Sequence, residues 1–115
     1  MIKRSSPYGD ILHEVVEHAG VLYLAGVVGE DPSADMTGQM RSICDQIDQL
    51  LAAHGSSKDR ILQTTIFIAD MASKPALNEV WKAWLNAEHL PARAGIGVAD
   101  LGPGVKVEVI LTAAK

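Results

Sequence analysis

The sequence is poor in cysteine and aromatic residues, and it contains no long apolar run. Cys44 is the only cysteine, so an intrachain disulfide is excluded and a reducing compartment is favoured. No stretch approaches the roughly 20 apolar residues that a transmembrane helix needs, and residues 1–7 lack the apolar core of a signal peptide. We therefore expect a cytoplasmic protein with no membrane partner.

An excess of basic residues is also absent. The 10 Lys and Arg residues are outnumbered by 14 Asp and Glu residues, which gives a formal net charge of −4. Since nucleic-acid-binding domains present a basic stripe to phosphates, this balance argues against a nucleic-acid partner. What the chain does have is 48% hydrophobic residues over 115 positions, enough for one domain spanning residues 1–115 with an aliphatic core.

The hydrophobic pattern predicts an α+β domain with the element order ββαβαββ. Residues 1–8 are typical of a turn or an extended arm. Beyond them, runs of β-branched and aliphatic residues predict strands, and apolar steps of three and four predict helices. The predicted strands cover residues 11–18, 21–28, 61–69, 93–99 and 105–113, and the predicted helices cover residues 36–54 and the apolar stripe 77–85.

Local signals predict the ends of both helices. Asp35 is the predicted N-cap of the first helix, and Gly55 stands where a C-terminal glycine is expected. Ser73 is the predicted cap of the second helix, with Pro75 in its first turn. Cys44 adjoins the apolar stripe of the first helix without an evident basic neighbour, which favours a core residue over a nucleophile.

Two predicted strands, Val21–Val28 and Ile61–Ala69, are apolar at both alternating sets of positions. Such strands are typical of a sheet that is buried on both faces, whereas two helices of this length cover only one face. A monomer would therefore expose a large aliphatic surface, and we expect oligomers that form through the open face of the sheet.

The histidines do not form a recognisable metal-binding pattern. His13 and His18 have opposite parity on a predicted strand and would point to opposite faces, while His54 and His89 stand alone near helix ends. The sequence therefore predicts no metal site. It also lacks a glycine loop of the kind that cradles phosphates at the start of a helix.

The stretch 90–98 carries the most distinctive chemistry. Arg93 follows a proline-containing turn at the start of a glycine-bearing strand, and its planar fork suits either a ligand carboxylate or a structural ion pair. Gly95 in a strand interior indicates close approach of a ligand or of another backbone. Glu108, the one acid of the last predicted strand, is either a catalytic group or a solvated partner of a lysine.

These residues resemble the C-terminal signature of the RidA/YjgF family, whose members are also described as endoribonuclease L-PSP or translation-inhibitor-like proteins. The signature comprises Pro91-Ala92-Arg93 and Val105-Lys106-Val107-Glu108-Val109. The resemblance covers nearly the whole chain, since further matching segments are Leu22-Tyr23-Leu24-Ala25-Gly26, Thr64-Thr65-Ile66-Phe67-Ile68-Ala69-Asp70 and Asn78-Glu79-Val80-Trp81.

The resemblance implies a chorismate-mutase-like fold with a mixed sheet, two helices on one face, and a homotrimeric barrel with ligand clefts between subunits. It also implies hydrolysis of reactive 2-imino or enamine acids, such as 2-aminoacrylate, to 2-oxo acids and ammonia, without a metal or an organic cofactor. By motif, Arg93 matches the arginine that binds the substrate carboxylate, and Glu108 matches the acid that positions or activates water. Gly26, Asn78 and Gly95 match other positions that line the cleft.

The chain departs from the family pattern at two places. Gly95 stands where many members carry a cysteine, so only the backbone of this residue can contribute. Tyr8, in Ser6-Pro7-Tyr8, resembles the tyrosine of the family's Gly-Pro-Tyr arm, but its distance to Gly26 is longer by several residues. Without an insertion, Leu12 would occupy that position.

Three functions are therefore open at this level. The first is a 2-imino acid deaminase that uses Arg93 and Glu108, and the second is a non-catalytic binder of a small carboxylate. The third, an endoribonuclease, is suggested only by the family's alternative description, and the net charge of −4 disfavours it.

Overall fold

The computed structural model describes residues 1–115 and contains six strands and two α-helices. Three single 3₁₀ turns, Lys58–Arg60, Met71–Ser73 and Ala87–His89, join them. This confirms the predicted α+β class and the order of elements from residue 11 onward. The elements are β1 (Lys3–Tyr8), β2 (Leu12–His18), β3 (Val21–Val28), α1 (Met36–Ala53), β4 (Ile61–Ile68), α2 (Lys74–Trp84), β5 (Ala92–Gly97) and β6 (Val107–Ala114). None of the helices is both long enough and apolar enough to cross a membrane.

All six strands belong to one mixed sheet with the order β1-β2-β3-β6-β4-β5. Every neighbouring pair is antiparallel except β4 and β5, which are parallel and are connected through α2. A parallel pair needs a crossover, and α2 provides it on the same face as α1. This connection places β5 at one edge of the sheet and α2 beside it.

The N-terminal arm is an additional edge strand, so the observed order is βββαβαββ. Its partner is β2, with Lys3 opposite Glu17 and Tyr8 opposite Leu12. The register skips Ser6, which has a φ of 55°. Pro7 lacks an N–H donor but lies on the outermost strand, where no further strand requires one. The hydrophobic pattern does not predict this strand, because an exposed edge strand needs no apolar alternation.

Both helices pack on one face of the sheet over a core that is almost entirely aliphatic. The predicted caps of α1 are confirmed: the Asp35 carboxylate accepts a hydrogen bond from Gly38 N at 2.8 Å, and Gly55 has a φ of 76°. Cys44 is buried, and burial raises the pKa of its thiol to about 12. It is therefore protonated at neutral pH, as expected for a core residue.

The start of α2 differs from the prediction. Ser73 occupies the N-cap position, but its side chain makes no capping hydrogen bond. Its Oγ donates instead to Asp70 Oδ2 at 2.6 Å. A 3₁₀ turn leads directly into α2, so the chain is already helical where a capping side chain would have to turn back. Pro75 lies in the first turn of the helix as predicted, where its missing N–H costs no helix hydrogen bond.

Apolar residues occupy both alternating sets of positions in β3 and β4, and two β-bulges explain part of this pattern. In β3 the register shifts between Leu24 and Val27, so both side chains are buried on the helix-covered face. A second shift in β4 places Ile61 and Thr64 on that face as well.

The opposite face of the sheet still carries exposed apolar side chains, namely Tyr23, Ile96 and Ile110. Their neighbours on this face include Thr65 and Glu108, so the face is mixed rather than wholly aliphatic. Oligomerisation through this face remains a prediction.

A buried glutamine joins two loops to α1. Gln39 is 1% exposed, and its Nε2 donates to Ala34 O and Gly104 O, both at 2.9 Å. Its Oε1 accepts a hydrogen bond from Lys106 N at 2.9 Å. One side chain thus satisfies three main-chain groups, and it fixes the segment that leads into β6.

Thr64 carries the one buried side-chain polar atom without a hydrogen-bond partner, its Oγ1. Replacing a buried, unpaired hydroxyl by a methyl group removes a desolvation cost, so Thr64→Val is expected to stabilise the protein by about 1 kcal/mol. Thermal unfolding should show a rise in Tm of about 4 °C. Thr65→Val, on the opposite face of the same strand, is the matched control and should give no such gain. A lower Tm for Thr64→Val would mean that the hydroxyl has a partner.

Candidate functional site

Arg93 lies at the start of β5 and points toward α2. Its Nη2 donates to Asn78 Oδ1 at 2.6 Å, and its Cζ lies 4.9 Å from the centroid of the Trp81 ring. The two salt bridges of the chain are elsewhere, so Arg93 has no carboxylate partner. The structure therefore does not support an ion-pair role within the chain. Burial lowers the pKa of Arg93, but a guanidinium remains protonated in proteins.

The Arg93 guanidinium borders a cleft of about 420 Å³ between β5 and α2. We call it the cationic cleft, and its lining residues are Lys74, Asn78, Trp81, Lys82, Arg93 and Gly95. Three of the six are cations and none is an acid, in a chain whose net charge is −4. Such a cleft attracts small anions, and the Trp81 ring makes a cation–π contact with the Arg93 guanidinium.

Three of these residues, Arg93, Asn78 and Gly95, were predicted from the sequence, whereas Lys74 and Lys82 were not. The spacing of positions 74, 78 and 82, which is i, i+4, i+8, indicates that these residues lie on one side of α2. The spacing alone does not show that this side of α2 faces Arg93, because the parallel pairing that places β5 beside α2 is a long-range feature.

Gly95 faces the cationic cleft, and packing within the chain does not require a glycine at this position. A Cβ added at this position would lie 3.6 Å from Ile68 Cδ1 and 3.7 Å from Lys74 Nζ, which is ordinary contact distance. The missing side chain leaves room beside Arg93 and Lys74. The glycine therefore enlarges the cationic cleft instead of allowing a tight turn.

Glu108 and Gly26 lie on the other face of the sheet. Glu108 stands between the buried residues Val107 and Val109, so its side chain points away from the helices. The β3 bulge brings Gly26 against it, because a Cβ added at Gly26 would overlap Glu108 Oε2. Because Gly26 has no side chain, the Glu108 carboxylate can occupy the space beside it.

Within one chain, Arg93 and Glu108 do not form a common site. In the sheet, Arg93 is in register with Thr64 of β4, whereas Glu108 is in register with Phe67. They are separated by about 10 Å along the strands and about 10 Å across them, and they lie on opposite faces. The family resemblance implies that both groups line a cleft between subunits, and a single chain holds the two groups apart.

Tyr8 and Leu12, the two candidates for the N-terminal position, are direct partners in the β1–β2 hairpin. Both line a pocket of about 270 Å³ that also includes Gly26. The Tyr8 side chain is 64% exposed, so its hydroxyl is free to contact a ligand or a second chain. The hairpin thereby brings the distant Tyr8 to Gly26 despite the long sequence separation.

A substitution at Gly26 that displaces the Glu108 carboxylate tests the role of Glu108. In Gly26→Ala the new methyl group must turn the flexible Glu108 carboxylate aside, and the backbone there needs no positive φ. We expect an unchanged Tm and a loss of about 100-fold or more in any activity that depends on Glu108, because a proton-transfer group is moved out of reach. A double-mutant cycle with Glu108→Gln should show that the two effects are not additive. Independent, additive losses would mean that Gly26 acts through another contact.

His13 and His18 lie on β2, and neither lines the cationic cleft. His13 pairs with Pro7 and His18 pairs with Val21, at opposite ends of β2. No group of three or more His, Cys, Asp or Glu side chains is placed to hold a metal ion.

Comparison with known proteins finds a matching family model and relatives that are similar over most of the chain. A family model described as Endoribonuclease L-PSP matches residues 2–115. The Escherichia coli RutC family protein YoaB is 40% identical over 101 residues, which cover 88% of this chain and 88% of that protein. The mouse 2-iminobutanoate/2-iminopropanoate deaminase is 29% identical over 102 residues, covering 84% of this chain and 75% of that protein.

A solved structure from Neisseria meningitidis, described as a member of the YjgF protein family, superposes with a TM-score of 0.93. It is 32% identical, and the match covers 100% of this chain and 95% of that one. Sequence and fold thus agree over the whole domain, and the chain belongs to the RidA/YjgF family, the family of the Endoribonuclease L-PSP model.

Proposed function

We propose that this protein hydrolyses reactive 2-imino acids, and their enamine tautomers, to 2-oxo acids and ammonia in clefts between the subunits of a homotrimer. The observation that carries the proposal is Arg93, a protonated guanidinium that has one side-chain partner, Asn78, and borders a cleft without acids. Such a group suits the carboxylate that every 2-imino acid carries, through two parallel hydrogen bonds. The deaminase name of the mouse relative supports this assignment.

The reaction needs little from the protein beyond orientation and a proton acceptor. Arg93 holds the substrate carboxylate, which fixes the adjacent C2 of the protonated imine. The Glu108 carboxylate accepts a proton from water as the water oxygen bonds to C2, which gives a carbinolamine. That proton is then delivered to nitrogen. As the C–N bond breaks, Glu108 accepts the hydroxyl proton, the C=O bond of the 2-oxo acid forms, and the released ammonia takes up this proton and leaves as ammonium. No electrons are exchanged, and one water is consumed for each imine.

A second copy of the chain is part of this proposal. Because Arg93 and Glu108 point to opposite faces, one site can contain both only if they come from different subunits. The apolar groups Tyr23, Ile96 and Ile110 on the open face also favour burial against another chain. We expect sedimentation equilibrium to give a particle of about three times 12.3 kDa. A stable monomer at micromolar concentration would contradict the intersubunit site.

The wild-type protein is tested first against substrates made in place. An amino-acid oxidase generates the 2-imino acid, and the rate of 2-oxo acid formation is measured with the protein and with an equal concentration of an unrelated protein. Faster hydrolysis of 2-iminobutanoate or 2-iminopropanoate is the expected result. Binding of a 2-oxo acid at Arg93 without any acceleration would favour the alternative, a non-catalytic carboxylate binder.

A further inference from the structure

The cationic cleft contains more positive charge than one carboxylate requires. Arg93 and Lys74 both line it, and neither forms a salt bridge with any acid of the chain. Lys82, the third cation, lies 3.7 Å from Glu79, but both of these side chains are more than 70% exposed. Within one chain, Arg93 and Lys74 therefore leave two charges without an acid partner in one cleft.

Lys74 is close to the place where a ligand held by Arg93 would extend. Its Nζ lies 3.7 Å from the position that a Cβ of Gly95 would take, and Gly95 is two residues from Arg93 on the same strand face. Because residue 95 has no side chain, the space between the ammonium and the guanidinium is open. The Lys74 side chain is half-buried, so solvent only partly screens its charge.

We infer that Lys74 is a specificity-determining residue that selects 2-imino and 2-oxo dicarboxylic acids, with Arg93 binding the carboxylate next to C2 and Lys74 binding the side-chain carboxylate. The inference rests on the proposed function, since it assumes that Arg93 binds the first carboxylate. A ligand with an uncharged side chain leaves Lys74 without a partner. A dianion of four or five carbons compensates both cations and gains a second charge-assisted hydrogen bond.

The test compares two oxo acids that differ in the second carboxylate. Calorimetric titration of the wild-type protein with 2-oxoglutarate and 2-oxobutanoate should show about tenfold tighter binding of the dicarboxylate, as expected for one partly screened charged hydrogen bond. Lys74→Met keeps the length of the side chain without its charge and should remove most of that ratio. Lys3→Met lowers the net charge equally, on the distant β1 strand, and should leave the ratio unchanged.

The outcomes separate this inference from the proposed function. If both oxo acids bind with equal affinity, or if Lys74→Met leaves the preference intact, the role of Lys74 is wrong while Arg93 still binds a carboxylate. Equal affinity is also the result expected if an acid of a neighbouring subunit neutralises Lys74. If neither oxo acid binds, both the inference and the proposed carboxylate site are overturned.

Discussion

Replacing Arg93 by alanine is expected to lower kcat/KM for 2-imino acids by at least about 100-fold. The variant loses two charge-assisted hydrogen bonds to the substrate carboxylate, and hydrogen bonds to charged groups contribute about 1.5–3 kcal/mol each. It also leaves Asn78 Oδ1 and the Trp81 ring without their cationic partner. Steady-state kinetics with the oxidase-coupled assay measures the effect, and the Tm of the variant checks that the fold is retained.

Two further variants sharpen the Arg93 result. Arg93→Lys keeps the charge but not the planar fork, so we expect a smaller loss of about tenfold. Arg41→Ala removes an exposed arginine from α1, outside the cationic cleft, and serves as the matched control. A wild-type rate no faster than that of Arg93→Ala, over several substrate side chains, would refute the proposed deaminase.

Replacing Gln39 by leucine is expected to lower the free energy of unfolding by about 3 kcal/mol or more. The substitution leaves Ala34 O, Gly104 O and Lys106 N without their partner in a buried setting, and each such group costs about 1–3 kcal/mol. Urea unfolding followed by circular dichroism measures the change as a lower midpoint with an unchanged m value.

The glutamine variants have a matched control on the same helix. Gln49 is exposed on α1, so Gln49→Leu removes a carboxamide that satisfies no buried main-chain group. Its unfolding midpoint should stay within experimental error of the wild type. Gln39→Glu keeps one acceptor for Lys106 N but loses both donors, and it should also be strongly destabilised. A loss below about 1 kcal/mol in Gln39→Leu would show that water replaces the amide in this region.

The two helices could be predicted from the sequence because their signals are local. The apolar stripe of α1 and the Asp35 and Gly55 signals act within one or two turns, and the structure places all of them as expected. The hairpin turn at Ala19-Gly20 is also local, with φ values of 52° and 78°. By contrast, β1 gives no such signal, because its pairing with β2 depends on a partner strand and not on its own alternation.

The bulges and the cationic cleft could not be predicted in the same way. A bulge at Ala25-Gly26 is defined only by the register of β3 against β6, more than 80 positions later in the chain. Lys74 looks like an ordinary surface lysine in the sequence. Only the parallel pairing of β4 with β5 places it in the same cleft as Arg93.

The sequence by itself determined the α+β class, the residues that begin and end the first helix, and the family that the chain resembles. Side-chain chemistry singled out Arg93 and Glu108, the strand position singled out Gly95, and the family resemblance added Asn78 and Gly26. Only the tertiary structure decided which of them share a site. Strand order, register and sheet face arise from long-range pairing, and they place Arg93 beside Lys74 of α2 while Glu108 and Gly26 lie on the opposite face of the sheet.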